Sequence, residues 1–187
     1  MRAPTTSGDY PLGRRLVRIT AALVLLGAAA AMLFWQQQVR YGEMSLAGTW
    51  FDLVLAGSTH TNRDAIYFSW TGGELIGLRN TWECTVALLA GPLLGIGAVL
   101  LALTRIPWHR LVTGLALALV LIVAVNQLRL AMIAVSLQRW GMDGYALSHT
   151  VIGSIFAIAG FVVAAMVFLK IAGASPTGRH RPAPHLG

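Results

Sequence analysis

The sequence predicts an all-α integral membrane protein: a bundle of about four transmembrane helices with a short interfacial segment and a small extracytoplasmic hairpin. Of its 187 residues, 56% are hydrophobic and only 11% are charged, whereas soluble domains carry about 25% charged residues. A helical span needs about 20 apolar residues, and in hydrocarbon each backbone polar group must be satisfied within its own segment, so such stretches form helices. Four stretches qualify: Ile19–Trp35, Val86–Thr104, Leu111–Leu137 and Val151–Ile171.

The first stretch has two interpretations, because arginines followed by an apolar, alanine-rich run also mark a secretory signal. The run Ala28–Ala31 leads straight into larger apolar residues and the aromatic pair Phe34 and Trp35. Aromatic residues concentrate at the membrane interface, which favours an uncleaved anchor. We therefore predict a cytoplasmic tail over 1–18, a multi-pass membrane domain over 19–171 and a disordered cytoplasmic tail over 172–187.

A fifth apolar segment, Met44–Gly57, leaves the topology with two alternatives. It is short for a span and is interrupted by Asp52, which is typical of an interfacial or re-entrant segment. If it crossed the membrane, Cys84 would move to the cytoplasmic side. The basic loop 105–110 would then lie outside, against the charge rule.

The region between the first two long stretches contains a predicted hairpin. "DAIYFSW" is β-branched and aromatic, "TGG" offers a turn, and "ELIGLRN" follows. This pattern is typical of two short antiparallel strands. Between the third and fourth stretches we predict a loop, Gln138–His149, in which two glycines break the chain and Trp140 and Tyr145 lie at the interface.

The net charge of +7 does not indicate nucleic-acid binding, because the basic residues flank the apolar stretches. They concentrate on one side, at Arg2, Arg14, Arg15, Arg18, Arg105, Arg110, Lys170, Arg179 and Arg181. Lys and Arg are enriched in cytoplasmic loops. The sequence therefore predicts a plasma-membrane protein in contact with the lipid bilayer, with both termini cytoplasmic.

Three chemically unusual residues fall on the predicted extracytoplasmic side, each on a different helix. Cys84, the only cysteine, precedes the second span; Arg129 lies in the outward half of the third; His149 precedes the fourth. Singly, a cysteine packs as a small hydrophobe, and a histidine or arginine places its polar tip in water. Arg129 is flanked by apolar residues, and inserting a guanidinium costs at least about 2.5–3.5 kcal/mol. Asn126, one turn earlier, shares its helix face.

Together these groups suit thiol catalysis. A helix N-terminus or a nearby cation lowers a thiol pKa, a histidine can take and return the proton, and an arginine can hold an oxyanion or a substrate carbonyl. Glu83 opposes this if it lies near the sulfur, unless it points away or pairs with Arg79. A single cysteine cannot form an internal disulfide, the histidines lack ligand spacing for a metal, and no phosphate loop is present, so no cofactor or metal is predicted.

The motif "ECT" opening a membrane helix, the pair Asn126 and Arg129 in "NQLR", and His149 opening the last helix resemble the exosortase/archaeosortase family of proposed membrane cysteine transpeptidases. The resemblance covers about Gly72 to Lys170 and identifies Cys84, Arg129 and His149 as catalytic, with Asn126 in support. It implies cleavage, through a Cys thioester at the extracytoplasmic face, of substrate proteins that end in a short motif, a membrane helix and a basic tail. Many members have more spans before the cysteine, so this chain resembles a compact variant.

Two other functions stay open. In a non-enzymatic assembly or helper protein, Cys84 would only pack and Arg129 would be a structural polar residue. A small transporter component would need polar residues along a path through the membrane, and the spans have almost none beyond Asn126 on the cytoplasmic side.

Overall fold

The computed structural model describes residues 12–55, 57–69 and 73–173. This part of the chain is mostly helical, with one small antiparallel sheet, so the all-α prediction is correct only in part. The elements in chain order are α1 (Leu12–Phe34), α2 (Gln36–Gly48), β1 (His60–Asn62), β2 (Ala65–Ser69), β3 (Leu75–Arg79), α3 (Ala87–Leu103), α4 (Trp108–Ala146) and α5 (Gly153–Gly173). Short 3₁₀ turns occupy Phe51–Leu53 and Trp82–Cys84, and a π-helical turn, Leu147–Ile152, joins α4 to α5.

Two helical segments are long and apolar enough to cross a membrane. One is Arg15–Phe34 within α1, and the other is the continuous stretch Trp108–Gly173, which comprises α4, the π turn and α5. The third apolar helix, α3, is shorter and has Pro92 inside it. Most large side chains on α1 and α5 face outward and are apolar, and large exposed apolar surfaces are typical of membrane-contacting proteins.

The predicted boundaries need two corrections. Residues Leu12–Arg18, predicted as a tail, form the first turns of α1, and Ala172 and Gly173, predicted as part of a disordered tail, end α5. The rest of the predicted tails, 1–11 and 174–187, lies outside the described residues. The predicted loop Gln138–His149 is helical apart from one residue. The chain reverses at Gly141, whose angles of φ 63° and ψ −148° are the non-helical ones in this described stretch. These angles are nearly restricted to glycine. The reversal therefore takes one residue instead of the predicted loop.

The helices pack as two antiparallel pairs through small residues. α1 lies along α3, and at one end of this pair the Arg18 guanidinium donates to the carbonyls of Leu101, Thr104 and Ile106. α5 lies along α4, with Gly160 so close to Val125 that a β-carbon there would fall 2.3 Å from its Cγ1. Small residues allow helix backbones to approach closely in apolar surroundings.

A layer of short elements covers one end of the helices; we call it the capping layer, formed by α2, the three strands and residues 130–146 of α4. The predicted hairpin is present as β2 and β3, with Tyr67 opposite Gly77, and β1 adds a third strand. The described residues of Met44–Gly57 do not form a single helix. They contain the end of α2 and the turn Phe51–Leu53. Met44 and Phe51 are buried against the sheet and α4. These contacts hold the segment within the capping layer.

The described residues form two apolar cores, and they meet beside Cys84. One core lies between α1, α3, α4 and α5 and includes Val86; the other lies in the capping layer and includes Cys84. The turn Trp82–Cys84 joins the sheet to α3 at this junction. The fold thus places the cysteine where the helical bundle ends and the capping layer begins.

Candidate active site

Cys84 and His149 are in direct contact. The Cys84 Sγ lies 3.2 Å from the His149 Nε2, within hydrogen-bonding distance for a thiol and an imidazole. Cys84 ends a 3₁₀ turn that extends the strand β3 toward α3, and His149 lies in the π turn before α5. Two residues that are far apart in the sequence are therefore joined by the folding of α4 back onto the rest of the chain.

The π turn that carries His149 sets the orientation of the imidazole. A π turn holds one residue more than an α turn and is frequent at functional sites. The ring of Tyr145 stacks on the His149 ring with centroids 5.1 Å apart and planes at 21°. Tyr145 was predicted only as an interfacial residue. The signal that could have identified its role is the spacing of four residues on one helix face, which the predicted loop concealed.

Arg129 lies beside the Cys84 turn and is only 5% exposed. Its Nη1 donates to the Glu83 carbonyl at 3.3 Å, and its Nε has no hydrogen-bond partner among the described residues. The ion pair in the described part of the chain joins Arg79 to Asp64 at 2.9 Å, so Arg79 is occupied elsewhere, and the exposed Glu83 side chain does not neutralise Arg129. A buried guanidinium thus has a free N–H while it contacts the turn that carries the thiol.

Gly153 permits this position of Arg129. A β-carbon at Gly153 would fall 3.0 Å from the Arg129 Nε and 2.6 Å from the Ser148 carbonyl oxygen. Any larger residue would therefore displace either the guanidinium or the π turn that holds His149. The first residue of α5 has to be small for the imidazole and the guanidinium to lie on the same side of Cys84.

Burial raises the pKa of the Cys84 thiol above its ordinary value, although the nearby Arg129 charge lowers it. The expectation that the helix N-terminus and the cation would give a low pKa is therefore wrong for this environment. At neutral pH the sulfur is a thiol. Its activation requires a base in contact with it, and His149 is the base that the geometry provides.

Asn126, predicted to support Arg129, makes no hydrogen bond with it in the described residues. Its Nδ2 donates to the Glu43 Oε1 at 3.1 Å, within a buried polar cluster that also includes Asn80. Sequence reasoning missed Glu43 and Asn80. Glu43 follows the polar run "QQQVRYGE", which is typical of a solvated helix, and no local signal shows that the tertiary fold buries it.

In the described residues, no group of three His, Cys, Asp or Glu side chains has an arrangement that could hold a metal ion. The chemistry available at this site is that of the thiol, the imidazole and the guanidinium. Comparison of the chain with protein-family models, with curated proteins and with solved structures finds no match to any of them.

Proposed function

We propose that this protein is a membrane-embedded cysteine peptidase or transpeptidase of the exosortase type. The single observation that supports it most strongly is the 3.2 Å contact between the Cys84 Sγ and the His149 Nε2. Arg129, with its unpartnered Nε among the described residues, lies beside this pair. A nucleophile, a base and an electrophilic stabiliser are the three groups that acyl transfer requires.

In the first step, the Cys84 sulfur attacks the carbonyl carbon of a peptide bond while its proton moves to the His149 Nε2. The carbonyl oxygen gains the negative charge, and the Arg129 N–H groups stabilise it. Collapse of this intermediate breaks the C–N bond, and His149 returns the proton to the leaving amine. The product is a thioester on Cys84 and a released C-terminal fragment.

In the second step, an amine or water attacks the thioester and gives its proton to His149. The C–S bond breaks, and the proton returns to the sulfur. As in the resemblance that led to this proposal, the substrate would end in a short motif, a membrane helix and a basic tail. Asn126 supports the site through Glu43 rather than through Arg129.

The proposed placement is a bundle of four spans formed by α1, α3, α4 and α5, with both termini cytoplasmic. From Leu111 to Arg129 is 18 helical steps, about 27 Å along α4, close to the hydrocarbon thickness of about 30 Å. This length supports the proposed position of Arg129, Cys84 and His149 near the outer interface. A substrate helix that spans the same bilayer would present its first peptide bonds at this level.

One observation favours a second candidate function, a non-enzymatic helper protein. Cys84 is only 2% exposed, and it belongs to the apolar core of the capping layer. In that case the sulfur only packs, and Arg129 fixes the Cys84 turn through the Glu83 carbonyl. The two candidates differ in whether the sulfur ever carries an acyl group.

The proposed reaction can be tested by trapping the thioester. We expect the full-length chain, isolated under denaturing conditions from its native membranes, to carry a covalent adduct that neutral hydroxylamine releases. Mass spectrometry should place it on Cys84. The Cys84→Ala variant should carry none, and His149→Ala should carry much less, since loss of a general base costs about 10²–10⁴-fold in rate.

Glu74→Gln provides a matched control, because it alters an exposed side chain just before β3 and should leave the adduct unchanged. Absence of a hydroxylamine-sensitive adduct in the unaltered protein, or its persistence in Cys84→Ala, would contradict the peptidase and favour the helper protein.

A further inference from the structure

We propose that Glu43 is a positioning residue of the candidate active site, whose carboxyl group fastens the Cys84 segment to the helix that carries Arg129. This proposal rests on the proposed function, since it takes the Cys84–His149 pair as the reacting groups. Glu43 itself touches neither of them by any hydrogen bond in the described structure and therefore acts through the residues it holds.

The Glu43 side chain accepts hydrogen bonds from several separate elements. It is 6% exposed and belongs to α2. Its Oε2 accepts from the Asn80 Nδ2 at 2.8 Å, and its Oε1 accepts from the Val86 backbone N–H at 2.5 Å and from the Asn126 Nδ2 at 3.1 Å. One carboxyl group thus joins three separate parts of the chain to α2.

The positions of these donors connect Glu43 to the reacting groups. Asn80 precedes Cys84 and Val86 follows it, so the two bonds bracket the 3₁₀ turn that carries the sulfur. Asn126 lies one turn before Arg129 on α4. The Val86 N–H belongs to the start of α3, where backbone donors have no partner within the helix. Glu43 caps that helix start from another element.

The main chain of α2 adds a second attachment to α4. The Glu43 carbonyl accepts from the Gln127 Nε2 at 3.0 Å, and the Gln127 Oε1 accepts from the Trp50 indole at 3.2 Å. The backbone of α2 is therefore fixed on α4 independently of the carboxyl group. Arg40 Nη1 donates to the Asn80 carbonyl at 3.2 Å and holds the Asn80 end of the Cys84 segment on α2. The carboxyl group adds the attachment of the Val86 end and the link from both ends to Asn126 on α4.

Burying a carboxyl group is energetically unfavourable, so filling space does not by itself explain Glu43. No cation pairs with Glu43 among the described residues, and burial raises its pKa against the opposing effect of its hydrogen bonds, first among them that of Val86. Well-packed apolar residues often stabilise a fold as well as buried charges do. The amide oxygens of Asn80 and Asn126 also lack partners in the described structure, because both amides direct their N–H groups at Glu43. The cluster is thus arranged around the carboxyl oxygens.

The proposal predicts that Glu43 controls the coupling between His149 and the sulfur. The probe is iodoacetamide, and the measured quantity is its rate of reaction with Cys84 at pH 7.5 in the full-length protein in lipid nanodiscs. With Glu43 intact, His149→Ala should slow alkylation by about tenfold or more, since the base is lost. In a Glu43→Leu background the same change should alter the rate less than about twofold, because the sulfur no longer lies against the imidazole. Such a double-mutant cycle isolates the pairwise effect.

Two further variants keep the test independent of whether leucine is tolerated. Glu43→Gln retains a carbonyl oxygen for the Val86 N–H and should retain most of the coupling. Glu43→Asp keeps the carboxyl group but withdraws its oxygens by one methylene, and it should lose the coupling. A purely structural role for Glu43 predicts instead that the folded fraction of every variant shows full coupling. Glu74→Gln, at an exposed carboxyl in the same layer, is the matched control and should change nothing.

The outcomes separate this proposal from the proposed function. Full coupling in both Glu43→Leu and Glu43→Asp overturns the positioning role and leaves the thioester result unaffected. Coupling that depends on Glu43, in a protein that forms no hydroxylamine-sensitive adduct, supports the positioning role and contradicts the peptidase. If His149→Ala has no effect with Glu43 intact, the Cys84–His149 pair does not react, and both proposals fall.

Discussion

At the scale of single residues, two opposing effects act on the Cys84 thiol. Burial of the sulfur penalises the thiolate, and the neighbouring Arg129 charge favours it. Burial is the larger effect, so the thiol pKa lies above its ordinary value. In the proposed reaction, the sulfur is therefore a neutral thiol that loses its proton to His149 during attack, and not a thiolate formed in advance.

This balance predicts how Cys84 alkylation depends on pH. In a His149→Ala background, where no neighbouring base assists, only the thiolate reacts, and an ordinary cysteine reaches half of its maximal rate at about pH 8.5. With a raised pKa, Cys84 in this background should reach half of its maximal rate above that pH. Arg129→Gln removes the favourable charge, raises the pKa further and should slow alkylation at pH 8 by about threefold to tenfold, where tenfold corresponds to one pKa unit. Iodoacetamide kinetics between pH 6 and 10 measure both effects.

Arg139→Gln is the control, because Arg139 is exposed and lies further along the same helix; its alkylation profile should match that of the His149→Ala parent. A half-maximal rate at or below pH 8.5, or equal slowing by the two arginine variants, would show that Arg129 does not act on the sulfur as described.

The sequence was informative about residues whose chemical type is unusual for their position in the chain. A lone thiol, a guanidinium within an apolar helix and an imidazole at a helix start each stand out locally, and the structure brings Cys84 and His149 together. Glu43 could not be found this way, because it lies in a polar stretch where a carboxylate is ordinary. Its burial arises only when α2 packs against α4 and the Cys84 segment.

At the scale of elements, the helical hairpin of α4 and α5 depends on one glycine. The apolar periods of both helices were predictable, but the connection between them was not. Two glycines and two aromatics in Gln138–His149 suggested a loop, whereas the chain reverses at Gly141 alone and then forms a helical turn that carries His149. Composition indicates that a turn exists; the backbone angles decide how many residues it uses.

This geometry predicts that Gly141→Ala destabilises the protein. At φ 63° and ψ −148° a side chain is strained, and such strain costs about 1–3 kcal/mol. We expect the free energy of unfolding, measured by titration with a denaturing detergent in mixed micelles, to fall by about that amount. Weaker retention of His149 against Cys84 should also slow adduct formation.

Gly27→Ala is the control, because Gly27 lies in α1 and a β-carbon there would meet nothing within 4 Å. That change should leave stability equal or slightly higher, since alanine favours helix by about 1 kcal/mol over glycine. Equal stability of the Gly141→Ala and unaltered proteins would contradict the strained reversal.

At the scale of the whole molecule, the two ends of the helical bundle differ in charge. The reacting groups, the sheet and α2 lie at one end, whereas Leu12, the loop 105–107 and Gly173 lie at the other, as the antiparallel contacts of α1 with α3 and of α4 with α5 require. The acidic residues of the described chain lie at the Cys84 end, and the opposite end carries basic residues without them. Lys and Arg are enriched in cytoplasmic loops, so the proposed orientation has this basic end in the cytoplasm.

The resulting orientation predicts opposite labelling of two introduced cysteines in a Cys84→Ala background. Glu74 and His109 are both exposed, the first before β3 and the second at the start of α4. A membrane-impermeant maleimide added to intact cells should modify Glu74→Cys and should reach His109→Cys only after permeabilisation. Because the two sites lie at opposite ends of the helices, both results follow from one orientation, and neither requires the native thiol to be accessible. Labelling of His109→Cys in intact cells, with Glu74→Cys protected, would show the opposite orientation. Cys84 would then lie on the cytoplasmic side, where it could not bind an exported substrate.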